Sequence, residues 1–410
     1  MKRFYFVVII SVIFGLLALS VDAAQSYRVN AGQSNVQINE HGVCKKVTNT
    51  GAKDVFIPTN TSAEWSGFLA HLPSSVTVGS CVIGHTKYFD TGWNHTCALL
   101  SNGNVDCWGY NVNGESNDYT GGNAISIGVG ASHTCALLSN GNVDCWGGSW
   151  GKTTGGPGDD YVGGDAVAVY AGYNDSCALL SNGNVHCWGF IAVYGSSDGY
   201  TGGNAVDVDI APGNYEHICA LLSNGNVDCW GSENWYGEAN DYNGGNAASI
   251  DTSQLHTCAL LSNGNVDCWG YNANGEANDY NGGNAVSVGT GFNHTCALLS
   301  NGNVDCWGLN NYGQANDYTG GNAMAIDVGA YRTCALLSNG NVDCWGLNVK
   351  GESNDYTGGN AIDVSAAEYT TIAGFNEHTC ALLSNGNVDC WGLNNYGQAN
   401  DYTGGNAKLP

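Results

Sequence analysis

The residues best suited to chemistry in this sequence are its 18 cysteines, most of which recur in pairs with nine residues between them. Zinc sites favour cysteines two to four residues apart with further ligands close by, and these pairs do not bring four ligands together. An even number of cysteines is typical of disulfides formed outside the reducing cytosol. The two isolated cysteines, Cys44 and Cys81, are expected to pair with each other. The spacing predicts eight further disulfides: Cys97–Cys107, Cys135–Cys145, Cys177–Cys187, Cys219–Cys229, Cys258–Cys268, Cys296–Cys306, Cys334–Cys344 and Cys380–Cys390.

A histidine recurs two residues before the first cysteine of most pairs. Asp175 and Arg332 replace it in two units. A metal ligand is one interpretation of such a residue, but one histidine per unit favours a structural side chain that is hydrogen-bonded between strands. The histidines are His95, His133, His217, His256, His294 and His378.

Acidic turns that follow the cysteine pairs offer hard oxygen ligands. Glu115, Asn117 and Asp118 form one such turn. Calcium needs six to eight oxygens, so backbone carbonyls would have to complete a site there. Asn, Asp and Gly also favour turns for conformational reasons alone. We expect no cofactor, with calcium as the alternative at this turn and at its counterpart, Glu276, Asn278 and Asp279.

Catalysis has no candidate residues in the sequence. There is no isolated nucleophile beside a base and no phosphate-binding loop, and nearly every serine and histidine recurs in equivalent positions. An active site is usually a single constellation of side chains rather than one copy in each repeat. The repetition therefore predicts that the protein is not an enzyme.

The elements that position the cysteines are short β-hairpins. In the first unit two strand-like runs flank Ser101, Asn102 and Gly103. A three-residue hairpin loop needs a positive φ at its third position, which glycine adopts readily. Counting outward from this loop places Cys97 opposite Cys107 at a non-hydrogen-bonded pair, where Cα atoms lie about 4.5 Å apart. That separation is at the near edge of the range that a disulfide tolerates.

The hairpin belongs to a repeat that occurs eight times, followed each time by a variable patch, a polar turn and an alternating strand. Leu99 and Val105 lie on one face of the hairpin and Leu100 and Trp108 on the other, so both faces must be covered. Radial repetition of blades covers both faces, whereas a linear solenoid needs caps that the sequence lacks. We therefore predict an all-β fold, a closed β-propeller of three- to four-stranded blades.

The repeat also carries a family resemblance. The pattern Gly-x-x-His-Thr-Cys-Ala-Leu, then Gly-Asn-Val-Asp-Cys-Trp-Gly, clear over Gly291–Gln314, resembles the repeat of the regulator of chromosome condensation family. The resemblance covers roughly residues 86–410, and the short period is most similar to bacterial propellers of the β-lactamase-inhibitory type. It implies a closed, protein-binding propeller, normally with seven blades. Eight copies predict eight blades, with seven as the alternative.

The N-terminus is typical of an exported protein. Lys2 and Arg3 precede an apolar run over Phe4–Val21 and a small-residue cleavage site. Residues 1–23 are therefore predicted to be a secretory signal, and a retained membrane anchor is the alternative. We expect a secreted, periplasmic or cell-surface protein, in which the family's nucleotide-exchange role on a nuclear GTPase has no place.

Two domains are expected after the signal. Residues 24–85 differ in composition from the repeats and are predicted to form a small module closed by its own disulfide. A short helix around Ser62–Leu72, ended by Pro73, is expected within it. Residues 86–410 are predicted to form the propeller.

The net charge of −25 and the pI near 4.3 limit the partners. Nucleic acid is not expected, because binding phosphates requires a basic face. Anionic membrane surfaces are disfavoured for the same reason. Cationic partners fit better, although acidity also serves simply to keep an exported protein soluble.

The patches after each Trp-Gly are where the units differ most, and a closed ring would bring them to one rim. Aromatic anchors there would suit protein or carbohydrate ligands, while drift after duplication is the alternative explanation. The leading hypothesis is an exported binding or adhesion propeller. The alternatives are an inhibitor of a secreted or periplasmic enzyme and a structural cell-surface protein. The candidate binding residues are Trp150, Tyr194, Trp235, Tyr236, Tyr312 and Tyr396.

Overall fold

The structure, a computed structural model, describes residues 87–148, 159–189, 199–213, 217–231, 234–367 and 377–410 with their side chains, and five earlier strands by their backbone alone. The chain divides into two compact units, Met1–Cys81 and Val82–Pro410. The predicted signal, the helix around 62–72 and the Cys44–Cys81 bond lie outside the residues described with side chains.

The first unit contains strands β1 to β5. Strand β1 pairs with β4, and β2, β3 and β5 form a three-stranded antiparallel sheet in that order. The strands are β1 (Ser26–Val29), β2 (Val36–Glu40), β3 (Val43–Asn49), β4 (Val55–Pro58) and β5 (Val76–Ser80).

The second unit consists of eight three-stranded antiparallel sheets, which we call blades 1 to 8 in chain order. The first strands are β6 (Phe89–Thr91), β9 (Ala124–Val129), β12 (Ala166–Ala171), β15 (Ala205–Ile210), β18 (Ala247–Thr252), β21 (Ala285–Thr290), β24 (Ala323–Val328) and β27 (Ala361–Ala366). The second strands are β7 (His95–Leu99), β10 (His133–Leu138), β13 (Asp175–Leu180), β16 (His217–Leu222), β19 (His256–Leu261), β22 (His294–Leu299), β25 (Arg332–Leu337) and β28 (His378–Leu383). The third strands are β8 (Val105–Gly109), β11 (Val143–Gly147), β14 (Val185–Gly189), β17 (Val227–Gly231), β20 (Val266–Gly270), β23 (Val304–Gly308), β26 (Val342–Gly346) and β29 (Val388–Gly392).

The hairpin register predicted from the sequence is confirmed. Cys97 pairs with Cys107 across β7 and β8, and Leu99 pairs with Val105. Gly103 has a φ of 80°, as the loop requires. All eight predicted hairpin disulfides are formed, each with Cα atoms 4.1 Å apart.

Each blade packs its cysteine face against the next blade. In the contact between blades 1 and 2, Leu99 and Val105 pack with Ile127 and Ala136, and the indole of Trp146 lies against them. The aromatic ring of the polar turn stacks on the tryptophan of the following blade, with ring centroids 5.9 to 6.4 Å apart. Blades that are apolar on both faces are thus covered on both sides. The stacked pairs are Tyr119–Trp146, Tyr161–Trp188, Tyr242–Trp269, Tyr280–Trp307, Tyr318–Trp345, Tyr356–Trp391 and Tyr402–Trp108.

Blade 8 contacts blade 1 in the same way as the other neighbours contact each other. His378 bonds to Thr96 at 2.7 Å, and Tyr402 stacks on Trp108. The last residues also complete blade 1: Ala407 bridges to Leu100, in the place that the start of the first strand takes in the other blades. Eight blades therefore follow one another around a ring, as the eight repeats predicted.

Candidate functional site

The strand directions give the propeller two different faces. Within a blade the first and third strands run parallel, since each is antiparallel to the second. The loop after the first strand and the patch after the third strand therefore lie at the same end of the blade. We call this end the aromatic face. The opposite end, which we call the polar face, carries the Ser-Asn-Gly hairpin loops, such as Ser101–Gly103, and the Thr-Gly-Gly-Asn turns.

Exposed aromatic side chains mark the aromatic face. Trp235 is 63% exposed, Tyr396 52%, Tyr236 48% and Tyr312 45%. No other aromatic side chain among the described residues is as exposed, and none of these four lies on the polar face. Four of the six candidate binding residues therefore share one surface. Trp150 and Tyr194 lie outside the described residues, and the binding role of all six stays a prediction.

The exposed tyrosines are held in edge-to-face pairs between neighbouring blades. Tyr236 packs on Tyr271 and Tyr396 on Tyr110, both with ring centroids 4.8 Å apart. Tyr312 packs on Tyr331 at 6.0 Å. Such pairs add about 0.5–1.5 kcal/mol beyond burial of their area. The pairing fixes the rings in place, so the aromatic face is presented in an ordered form.

The loops under these tyrosines are held by side chains from their own turns. Glu238 accepts a hydrogen bond from the backbone N–H of Tyr236 at 2.8 Å, and Gln314 does the same for Tyr312. Both side chains are fully buried. Asn234 accepts from the N–H of Ala239 at 3.0 Å. These turns thus use their side-chain oxygens to shape the aromatic patch.

The same holds for the turns named as calcium candidates. Glu115 accepts from the N–H of Asn113 at 2.7 Å, and Asp118 accepts from the N–H of Cys107 at 3.0 Å. Glu276 and Asp279 make the equivalent bonds in blade 5. Across the part of the chain that the structure describes, no three His, Cys, Asp or Glu side chains are grouped to hold a metal ion.

The repeated histidines are buried and bonded to the next blade. His95 bonds through Nε2 to Thr134 at 2.9 Å, and His294 bonds to Thr333 at 3.1 Å. Burial lowers the pKa of His95 and of His294 to about 3. A hydrogen-bonded structural role was the prediction, and it is confirmed, but the partner belongs to the following blade. Arg332 takes the same place in blade 7 and bonds to Thr379 at 2.9 Å and to Glu377.

A cavity of about 400 Å³ lies between the first strands of seven blades. It is the central channel of the ring. Asp90, Asp209, Asp251, Asp327 and Asp363 line it, together with Asp207 and one cation, Lys87. Lys87 pairs with Asp90 at 3.1 Å. The channel is therefore strongly acidic.

The channel carboxylates also tie neighbouring blades together. Asp209 accepts from the backbone N–H and the hydroxyl of Thr252, at 2.6 and 2.9 Å. Asp251 accepts from Thr290 in the same way, with both contacts at 2.6 Å. Asp327 accepts from the N–H of Ala366 at 2.5 Å. One oxygen of each carboxylate thus fixes the adjacent blade.

Burial and mutual repulsion favour the neutral form of these acids. Burial, joined by the charges of Asp209 and Asp327, raises the pKa of Asp251 well above its ordinary value. Burial raises the pKa of Asp209 and of Asp363 to about 6, against hydrogen bonds that lower them. The channel holds more negative charge than its own cation neutralises.

The acidic channel was not predicted from the sequence. Four of its acids stand one residue before the end of the first strand, and the residue at this position differs between blades. It reads Asp90, Gly128, Tyr170, Asp209, Asp251, Gly289, Asp327 and Ser365 in blades 1 to 8. This variation between blades could have marked the position as functional. Only the closed ring shows that the varying residues line one channel.

Comparison with known structures finds other proteins with repeated β-blades. The CRINKLY WD40 ectodomain of the Arabidopsis thaliana receptor kinase ACR4 is 23% identical, with a TM-score of 0.46 over 66% of this chain and 96% of that chain. The ectodomain of the Physcomitrella patens receptor kinase CR4 is 21% identical, with a TM-score of 0.48 over 66% and 74%. Prp20p from Saccharomyces cerevisiae, whose structure was reported with its binding to Gsp1p and histones, is 19% identical, with a TM-score of 0.46 over 60% and 80%. No curated protein matches the chain in sequence.

The family model gives the firmer result, because it recognises every repeat. The model of the regulator of chromosome condensation (RCC1) repeat matches all eight units and more than half of the chain. The matched residues are 88–115, 124–149, 166–190, 208–238, 248–276, 285–314, 325–352 and 373–398. The chain therefore belongs to the RCC1 repeat family.

Proposed function

We propose that this chain is an exported, non-catalytic binding protein that engages a protein partner through its aromatic face. The observation that carries the proposal is the one-sided distribution of exposed aromatic residues, Trp235, Tyr236, Tyr312 and Tyr396. Tryptophan and tyrosine are enriched among the residues that dominate binding energy at interfaces. The polar face offers no such anchors among the described residues.

Order in the free protein supports the same proposal. The tyrosine pairs and the buried Glu238 and Gln314 hold the patches before any partner arrives. A preorganised surface loses less conformational entropy on binding. The described patches around Tyr236 and Tyr312 are therefore ordered anchors on a repeated scaffold.

Export is part of the proposal. Eight disulfides close the hairpins, and no described cysteine is free. Disulfides of this kind persist outside the reducing cytosol. No described helix is long and apolar enough to cross a membrane. Mass spectrometry of the protein recovered from a secreting host tests this part, with loss of residues 1–23 as the expected result.

The binding role is tested by array screening of the oxidised, secreted chain on protein and glycan arrays. The comparison uses a fourfold aromatic-face variant and a fourfold polar-face control of the same size. The aromatic-face variant is Trp235→Ala, Tyr236→Ala, Tyr312→Ala and Tyr396→Ala. The control is Ser101→Ala, Ser300→Ala, Ser338→Ala and Ser384→Ala, all at exposed hairpin loops.

We expect protein ligands that the control retains and the aromatic-face variant loses. If the chain binds glycans and no protein on the arrays, the ligand is a carbohydrate and the proposed protein partner is rejected. Ligands that both variants retain would overturn the proposed face. Circular dichroism and melting curves check that each variant is folded.

A further inference from the structure

The propeller carries nearly all of the acidic residues of the chain. Residues 87–410 contain 32 of the 36 acidic residues but only five of the 11 basic ones. Among the described cations, Arg332 is buried against Glu377 and Lys87 pairs with Asp90. Lys408 lies over the ring of Tyr88, which leaves Lys350 as the exposed described cation on the aromatic face. The propeller therefore presents a predominantly anionic field, which attracts cationic partners and raises their association rate.

The channel acids lie near the aromatic face. Asp209, Asp251 and Asp327 each stand one residue before the end of their strand, at the end that leads into the aromatic-face loops. All three line the central cavity. A group that enters the cavity from the aromatic face would meet these carboxylates first.

Each of these carboxylates keeps one oxygen without a donor. Asp209, Asp251 and Asp327 make their bonds to the next blade through Oδ2 alone. Their Oδ1 atoms accept no hydrogen bond from the described residues. Asp209, Asp251 and Asp327 are half-buried, and carboxylates that are partly removed from water and repel one another are costly to ionise. A ligand with several N–H donors and a positive charge would remove that cost.

A bare metal ion does not fit this arrangement. Within the described ranges no three carboxylates converge closely enough to hold one. A lysine ammonium carries three donors on a flexible stem, and an arginine guanidinium carries five in a plane. Such groups reach separated acceptors directly or through water. The geometry therefore favours an extended organic cation.

We propose that the protein partner inserts a lysine or arginine side chain into the central channel from the aromatic face. This inference rests on the proposed function, since the aromatic residues would hold the partner's backbone and neighbouring side chains. The tyrosine and tryptophan rings on the aromatic face would also accept further cationic groups over their faces. A basic protein segment, rather than a free small amine, is the occupant that uses both features.

The test measures binding of fluorescent nonapeptide pools with a central Lys, Arg, Gln or Glu and otherwise randomised residues. The protein is the oxidised secreted chain, and spermidine serves as the free-amine probe. A channel variant combines Asp209→Asn, Asp251→Asn and Asp327→Asn. Asparagine keeps the acceptor for the neighbouring blade and removes the charge.

A matched control removes the same charge elsewhere. Asp267→Asn, Asp305→Asn and Asp343→Asn change three carboxyls at the third strands, outside the channel. We expect the Lys or Arg pool to bind at least about tenfold more tightly than the Gln pool. The channel variant should lose this preference, and the control should keep it.

Three outcomes would overturn the inference. They are equal losses in the two variants, equal binding of the Lys, Arg and Gln pools to the unmodified chain, and spermidine binding as tightly as the preferred pool. The comparison of pools on the unmodified chain holds even if the channel variant fails to fold. Binding of the Gln pool that is lost in the aromatic-face variant would leave the proposed function intact and reject only the lysine or arginine insertion.

Discussion

At the scale of single residues, burial sets the charge state of the repeated histidines. His294 is fully buried between blades 6 and 7 and bonds to Thr333 at 3.1 Å. Its pKa is lowered to about 3 because burial disfavours the imidazolium. An unfolded histidine titrates near 6.5. The contribution of His294 to stability is therefore complete above pH 6.5 and is lost as the pH falls towards 3.

His294→Gln isolates this effect. Glutamine can reach Thr333 but does not titrate between pH 3 and 8. We expect the unmodified protein to lose stability relative to the variant as the pH falls from 7.5 to 4. Urea denaturation at several pH values measures the difference, and a difference that is constant with pH would contradict the assignment.

Paired carboxyls at the third strands change stability with pH in the opposite direction to the histidines. Asp267 lies beside Asp279, which also accepts from the N–H of Cys268 at 3.1 Å. Burial, then the hydrogen bond and charge of Asp279, raise the pKa of Asp267 to about 6. The raised value means that protonated Asp267 stabilises the fold below pH 3.8, and that this contribution is lost as the pH rises through 6.

Asp267→Asn mimics the protonated form at every pH. We expect the variant to melt at a higher temperature than the unmodified chain at pH 8, and the two to melt together below pH 4. Blade 3 has His186 at the equivalent position, so His186→Asn provides a control without a carboxyl pair. If Asp267→Asn still raises the melting temperature at pH 3.5, the raised pKa of Asp267 is not the cause of the increase.

At the scale of elements, the disulfide of each hairpin constrains a short loop. Replacing both cysteines of one pair, Cys258→Ala with Cys268→Ala, leaves no free thiol. The chain-entropy model predicts a loss of about 2.7 kcal/mol for a loop of ten residues. The hydrogen-bonded register of β19 and β20 already restricts the unfolded hairpin, so the measured loss should not exceed this value.

Chemical denaturation of the oxidised double variant checks the prediction. Loss of stability well above the predicted amount would mean that the sulfurs contribute mainly through packing between blades. Packing of the sulfurs is a real alternative because Cys258 is fully buried. The variant Val266→Ala, on the same face, serves as a packing control.

The hairpins were predictable from sequence because their determinants are local. Gly103 fixes the turn, the turn fixes the register, and the register places Cys97 opposite Cys107. The partners of His95 and of Asp209 were not predictable, since each lies about 40 residues away on the next blade. The acidic channel required the complete ring, because seven separate strands contribute to it.

At the scale of the whole molecule, the C-terminal residues join blade 8 to blade 1. Ser101 donates to the carbonyl of Asn406 at 2.9 Å, and Lys408 donates to the carbonyl of Leu99 at 2.7 Å. Lys408 also places its ammonium 5.0 Å from the ring centroid of Tyr88. Within the described part of blade 1, Ala407 bridges to Leu100 at the place where the first strand starts in the other blades.

Deleting residues 406–410 should therefore open the ring. The backbone bonds lost contribute about 1 kcal/mol each, so we expect a lower melting temperature and faster proteolysis near blade 1. Deleting only residues 409 and 410 keeps all of these contacts and is the matched control. Equal melting of the two truncated chains would contradict a closing role.

The proposed binding of a partner to one face of the ring can be measured on the intact protein. Hydrogen–deuterium exchange of the oxidised chain, with and without the ligand found by array screening, tests it most directly. We predict protection of the aromatic-face loops, including 110–114, 234–237 and 310–313, with no change at the hairpin loops 101–103 and 300–302. Protection at the hairpin loops, or equal protection on both faces, would contradict the account.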